Sequence, residues 1–335
     1  MNISEFAKYA GVSKSAVSRY FNDGYLSTDK RVAIEKALEE TGYTPSASAQ
    51  SVRTKVTKMI GVILPKLSSE SSSRVVEGIS QVLDSQGYEL LLVNTDNDPH
   101  KEVKYLELFR QNKVDGVIFL ASVFTDLHLS VLKKMRIPVI IVGQTCQGFS
   151  CVCHNDYGAA YALTKLMLDK DRKNPACIRG ISEDKACGQA RFDGFTKALE
   201  EQGIALQEKN VVTAQLNMDS GYEKAKMLFS GEERPDCLFC ATDTIALGVM
   251  LYCRENKIRI PEDVMICSVG DSEIGRMAYV PLTTAHLHYK TSGIEAAEKL
   301  LSAMRKRDSI PRTMQLDYEI IERESTEIPQ ECENI

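Results

Sequence analysis

From Lys58 onward, short apolar runs recur between stretches of helical length: MIGVILP, YELLLVNT, DGVIFLA, PVIIVG, PACIRGI, DCLFCATD and DVMICSVGD. A strand covered on one face alternates apolar and polar residues, whereas one covered on both faces reads as a continuous apolar run. Such runs, separated by helices at about Ser73 to Gln86 and 100–112, predict parallel sheet buried on both sides. The 58–335 stretch exceeds the roughly 100–200 residues of one ordinary domain, so two lobes are expected. In open parallel sheets, ligands sit beyond the carboxyl ends of the strands. The polar residues that follow the runs are therefore site candidates: Lys66 and Ser69, Asn94 and Asp96, Gln144, Asp243 and Asp271.

Residues 1–44 have a different texture. Three short helices are expected, the first capped by Asn2 and closed by Gly11, the second capped by Ser13. Two helices joined by a tight glycine-containing turn form a helix-turn-helix pattern. In VSKSAVSRYFN the second helix places Lys14, Ser15, Ser18 and Arg19 on one arc and Ala16, Val17, Tyr20 and Phe21 on the other. Ser27 then caps a longer helix that ends at Gly42. After it, Thr44 and Pro45 can open one more helix through about residue 54, too short to persist in water without support. The tail RESTEIPQECENI is polar and expected to fray.

Charge divides along the same line. Residues 1–58 hold nine Lys/Arg against six Asp/Glu, a net +3, so the remainder carries −8 of the overall −5. A basic end on an acidic body suggests a nucleic-acid module joined to a separate core. No apolar run approaches the roughly 18–20 residues of a membrane span, and MNISEFAKYAG has no secretory pattern, so a cytoplasmic protein is expected. The ten cysteines sit in apolar stretches and read as reduced core residues. The CLFC pair at Cys237 and Cys240 falls on a strand, where residues three apart face opposite ways and cannot easily share an ion. No GxxxxGK[ST], GxSxG or strand-following GxGxxG is present, and no His/Cys spacing calls for a metal or cofactor. An enzyme is thus disfavoured. A free-standing sugar-binding protein is set aside by the helix-turn-helix and the missing export signal.

GVSKSAVSRYFN, ALEETGYTPSASAQSVRT, IGVILP, ARFDGF, CATDTIALG and IPEDV, in this order, resemble the lac/gal repressor family over nearly the whole chain. Within it, QGFSCVC, CATDTIALG and SVGDSE are most similar to repressors of trehalose or sucrose operons. The resemblance implies an all-α helix-turn-helix head (1–44), a hinge helix (45–57) and an α/β core of two Rossmann-like, periplasmic-binding-protein-like lobes (58–335). It puts the N-lobe at about 58–154 and 288–316, and the C-lobe at about 155–287 and 317–330, with lobe crossings near 155, 287 and 317. It further implies a homodimer on palindromic operator DNA, with a small sugar or sugar phosphate as effector.

By this resemblance Lys14, Ser15 and Arg19 read bases, Ser18 lies near phosphate, and Asn22, Ser46, Ala49, Val52 and Arg53 complete the DNA contacts. Arg and Lys suit the O6/N7 edge of guanine. Ala16 stands where the family usually has threonine, and Val52 where it usually has a leucine wedge. Arg191 matches the family's sugar-binding arginine, or forms a salt bridge at a helix start. Asn155, Asp156, Asp243 and Asp271 line the expected cleft or serve as caps and loop residues. Leu216 aligns where relatives stack an aromatic, and Gly270 where they carry a first aspartate. In LPKLSSESSSR, Lys66, Ser69 and Ser72 precede or open a helix and suit an anion, or form a capped polar loop. The effector is then a free or phosphorylated disaccharide, and the sign of regulation, release by inducer or tightening by corepressor, is left open.

Overall fold

The computed structural model describes residues 1–21, 24–43, 56–111, 114–305 and 310–327. Residues 1–57 and 58–335 form separate compact units. Asn22, Ser46, Ala49, Val52 and Arg53, and the helix expected after Pro45, lie outside the described residues.

The head contains α1 (Ile3–Tyr9), α2 (Lys14–Tyr20) and α3 (Thr28–Thr41). Asn2 and Glu5 form a reciprocal capping box on α1, and Ser13 Oγ accepts from Ala16 N–H at the start of α2. Gly42 closes α3 at φ 59, a left-handed conformation that suits glycine. Phe6, Ala7, Val17, Ile34 and Ala37 make the small core, and the Tyr43 ring stacks on Phe6 with centroids 4.3 Å apart.

The body begins with β1 (Met59–Leu64), α4 (Glu70–Ser85), β2 (Glu89–Asn94), α5 (Pro99–Gln111), β3 (Gly116–Leu120), α6 (Asp126–Leu132), β4 (Val139–Val142) and β5 (Ser150–His154). Then come α7 (Asp156–Leu168), β6 (Pro175–Arg179), a π-helical turn (Lys185–Ala190), α8 (Arg191–Glu201) and β7 (Val211–Thr213). They are followed by α9 (Met218–Leu228), β8 (Cys237–Cys240), α10 (Asp243–Glu255), β9 (Met265–Val269), α11 (Glu273–Arg276) and β10 (Thr283–Leu287). The described chain ends with α12 (Tyr289–Arg305), β11 (Thr313–Leu316) and β12 (Tyr318–Ile321).

Two sheets of matching topology result, ordered β11-β5-β4-β3-β1-β2 and β12-β10-β9-β8-β6-β7. Their pairings are parallel except β10–β12, which is antiparallel. The β12 strand enters directly from β11, without the crossover helix that a parallel neighbour needs. The chain passes between sheets at 154–156, 287–289 and 316–318.

The continuous apolar strands are buried on both faces, as their composition dictates. Ile60, Val62, Leu64, Ile118 and Leu120 pack toward α4 and α12, while Ile63, Val117, Phe119 and Ile141 pack toward α5 and α6. Cys237 and Cys240 fall into cores on opposite faces of the second sheet. The nine described cysteines are free and buried.

Glycines let the covering helices touch backbone to backbone. A Cβ on Gly78 of α4 would stand 2.1 Å from the Lys290 carbonyl oxygen, and one on Gly248 of α10 would stand 2.0 Å from that of Met218.

The tail corrects an expectation. Ser325 and Thr326 are fully buried: Ser325 Oγ donates to the Ile266 carbonyl at 2.6 Å and accepts from Thr283 N–H at 2.8 Å. A polar composition here satisfies the starts of β9 and β10 in the second sheet rather than fraying into water. Residues 328–335 lie outside the described set.

Candidate functional site

The carboxyl ends of both sheets face one cavity of about 410 Å³ in the body, within the size range of small-molecule sites. The first lobe contributes Lys66, Ser68, Ser69, Ser71 and Ser72, and the second Asp184, Cys187, Arg191, Asp243 and Leu216. His154, Asp156 and Tyr289 come from the first two crossings.

On the C-lobe side the charged groups are already bonded. Arg191, 5% exposed, begins α8 and donates Nε–H to Asp156 Oδ1 at 2.8 Å, and a second guanidinium nitrogen lies 2.8 Å from the same oxygen. Another of its N–H groups donates to the Ala241 carbonyl. Arg191 thus makes the salt bridge and also faces the cavity. Asp243, 3% exposed, accepts from Ser268 Oγ at 2.5 Å, Thr284 Oγ1 at 2.8 Å and Ser272 N–H at 2.6 Å. Its carboxylate ties the ends of β8, β9 and β10 together.

Three expected site residues point elsewhere. Asn155 caps α7, accepting from Gly158 N–H at 2.9 Å and donating to Asp317 at 3.3 Å, and is not among the lining residues. Gln144 is 6% exposed and its amide donates to the carbonyls of Ala121 and Ser122, joining two loops behind the wall. Asp271, at φ 49, turns its carboxylate away from the cavity onto Arg323 at 2.6 Å and His286 at 3.0 Å. Burial alone would raise the Asp271 pKa, but the bonds from Arg323 and His286 outweigh it and hold the carboxyl below its ordinary value. Asn94 and Asp96 likewise serve the loop: Asn94 accepts from Leu67 N–H and donates to Asp96, which pairs with Lys101 at 3.2 Å.

The N-lobe rim is a run of hydroxyls around the start of α4. Ser69 and Ser71 share one hydrogen bond of 2.8 Å, Ser72 is 5% exposed, and Lys66 stands just before them. Bonds cross from this rim to the other lobe. Arg74 donates to the carbonyls of Gly270 at 3.4 Å and Asp271 at 2.9 Å, and the Glu70 carboxylate accepts from Glu273 N–H at 3.2 Å while pairing with Arg74.

Sequence reasoning passed over Asp184, Cys187, His154 and Tyr289. Asp184 follows β6, so the strand-end rule could have found it. Its Oδ1 accepts from Ala186 and Cys187 N–H, capping the π-helical turn, and burial pushes its carboxyl above the ordinary value. Burial raises the Cys187 thiol to about 12, too high for thiolate chemistry near neutral pH, and lifts Tyr289 to about 12. Among the described residues no cluster of three His, Cys, Asp or Glu could hold a metal, and no helix is long and apolar enough to cross a membrane.

On the head, Lys14, Ser15 and Arg19 are exposed along α2. Ser18 is 7% exposed and faces inward with Val17, which corrects the four-residue polar arc to three.

Residues 57–324 match the family described as periplasmic binding proteins and sugar binding domain of LacI family, and residues 2–46 match bacterial regulatory proteins, lacI family. The chain belongs to the LacI family. It is 34% identical over 300 residues to the sucrose operon repressor of Staphylococcus xylosus, covering 89% of this chain and 92% of that one. It is 30% identical over 325 residues to the HTH-type transcriptional repressor PurR of Vibrio atlanticus, covering 96% and 97%. The fold is also that of the lac repressor dimer bound to operator and the anti-inducer ONPF, with TM-score 0.88, 20% identity and coverage of 97% and 99%. This LacI-family chain is a DNA-binding transcriptional repressor, not an enzyme.

Proposed function

We propose that this repressor controls a sugar-utilisation operon and leaves its operator when a disaccharide, free or phosphorylated, occupies the cavity. The observation that carries the reading is the cavity wall. It combines a buried Arg191–Asp156 pair with a rim of serine hydroxyls and Lys66, a donor and acceptor set suited to a polyhydroxylated ligand. The similarity to a sucrose operon repressor supports the same class.

The protein acts in the cytoplasm as a homodimer on two-fold symmetric operator DNA. Lys14, Ser15 and Arg19 enter the major groove with the inward-facing Ser18 behind them, and Asn22 and the 45–57 segment, with Ser46, Ala49, Val52 and Arg53, complete the DNA contact. Sugar binding shifts the closure of the two lobes and so the spacing of the paired heads. Coupling of this kind is typically about 1–3 kcal/mol, an affinity change of about 5–150-fold.

The test is retention of random duplex DNA by the purified dimer, repeated with sucrose, trehalose and their 6-phosphates. A two-fold symmetric retained site that is lost with one of these sugars is expected. Retention without any motif, falling steeply with salt, would reduce the interaction to phosphate contacts and overturn the operator reading. Lys66→Ala then separates the ligands: a loss confined to the phosphorylated sugar places the phosphate at the serine rim, and an unchanged response removes it from there.

A further inference from the structure

His154 closes β5 at the first lobe crossing, is 7% exposed and lines the cavity, and its Nε2 has no hydrogen-bond partner among the described residues. Buried side-chain polar atoms in folded proteins are nearly always partnered, so an orphaned ring nitrogen on a cavity wall asks for one. Its tautomer follows from its surroundings. The backbone of His288 favours a protonated ring nitrogen facing it, and since Nε2 has no partner, that nitrogen is Nδ1. Burial holds the imidazole below its ordinary pKa. Asp156 and the backbone of His288 oppose this shift, while Arg191 and the His288 ring reinforce it. The ring is therefore neutral near pH 7, and Nε2 presents a bare lone pair. The edge of the Tyr289 ring, 5.1 Å away at 69°, fixes the imidazole plane.

The neighbouring carboxylates already hold donors: Asp156 Oδ1 takes both contacts from Arg191, and Asp243 holds three. We propose that His154 Nε2 accepts a hydrogen bond from a ligand hydroxyl and is a specificity-determining contact of the effector cavity. This rests on the sugar-effector reading and deepens it by orienting the ligand. A bare lone pair requires a donor and repels an anionic oxygen. A hydroxyl-bearing ring therefore lies at the crossings, and any phosphate lies at the Lys66 and serine rim.

The position also links occupancy to lobe movement. His154 is in register with Leu316 beside the third crossing, its carbonyl accepts from Gln315 Nε2 at 3.4 Å, and its ring meets His288 and Tyr289 at the second. A ligand hydroxyl on Nε2 thus touches the place where all three connections between the lobes converge.

The experiment uses the full-length dimer labelled with ¹⁵N-histidine, observed near neutral pH with and without sucrose, trehalose or trehalose 6-phosphate. Calorimetry of the wild type, His154→Phe and His154→Gln runs beside it. Expected are an Nδ1–H tautomer with an unbonded Nε2 in the free protein, and an Nε2 resonance that moves on adding the sugar that binds. Affinity should fall about tenfold in His154→Phe, with partial recovery in His154→Gln, which keeps an acceptor. A protonated or Nε2–H ring in the free protein overturns the proposal without any ligand. A sugar that binds wild type and His154→Phe equally, leaving Nε2 unmoved, overturns it while the sugar reading survives. If none of these sugars binds the wild type, the disaccharide reading falls and takes this contact with it.

Discussion

In the C-lobe, the ionisable groups on the cavity wall are engaged before any ligand arrives: Arg191 with Asp156 and Ala241, and Asp243 with Ser268, Ser272 and Thr284. In the N-lobe, the corresponding strand ends carry a lysine and hydroxyls that share one Ser69–Ser71 bond, with the Glu70–Arg74 pair beside them tied to the other lobe. The two sheets share a strand order, so the backbone does not dictate this difference. It lies in the residues at equivalent strand ends, and it makes one wall a fixed template and the other an adaptable rim. Groups already satisfied cost little to keep in place when a ligand binds, and groups facing solvent can choose among ligands.

Removing a template residue should do the most damage. Asp243→Ala strands three donors in a buried setting, and a loss of about 3 kcal/mol or more is expected in urea unfolding. A loss below about 1 kcal/mol would mean the C-lobe wall is no more rigid than the rim. Where the lobes are alike, the effects should be alike. Gly248→Ala in one and Gly78→Ala in the other each force a methyl onto a carbonyl oxygen about 2 Å away, and each should cost about 1–3 kcal/mol or more by thermal melting. A cost in only one lobe would break the symmetry of the helix pairs.

A smaller effect sits behind the template. Because the Asp271 carboxyl is held below its ordinary value, it contributes stability above the unfolded pKa of about 4, and that contribution is lost as pH falls through the folded value. Asp271→Asn should therefore lower the urea midpoint near neutral pH and shrink its difference from wild type under acid. A difference that persists unchanged at low pH would place the effect in packing. The smallest change belongs to the rim: Ser71→Ala should shift stability by no more than about 0.5 kcal/mol, and a larger loss would make the rim part of the template.

The sheets were legible because strands buried on both faces leave continuous apolar runs, and even the opposed facing of Cys237 and Cys240 follows from a period of two. The head helices were legible from Asn2, Ser13 and Gly42, whose roles are local. The wall was only partly legible. Whether a polar residue after a strand faces the cavity depends on partners far away in sequence. Asp271 turns aside because Arg323 lies opposite it, and Asn155 because Asp317 and the α7 amides claim it. Ser325 and Thr326 looked like tail residues for the same reason: the strand start that buries them is made some forty residues earlier, at Thr283. His154 carried no motif at all; its role follows from standing at a crossing.

Those crossings also set a timetable for synthesis. The first sheet is laid down through β5 by residue 154, but α12, which covers one of its faces, starts at residue 289, and β11, its last edge, at 313. At a ribosomal pace of about 5–20 residues per second, the early sheet waits on the order of ten seconds for that cover. During that interval Ile60, Val62 and Ile118 are shielded on that face by α4 without its partner. The N-lobe is thus begun first and finished nearly last, and the newborn chain is most exposed to aggregation while its second lobe is being made.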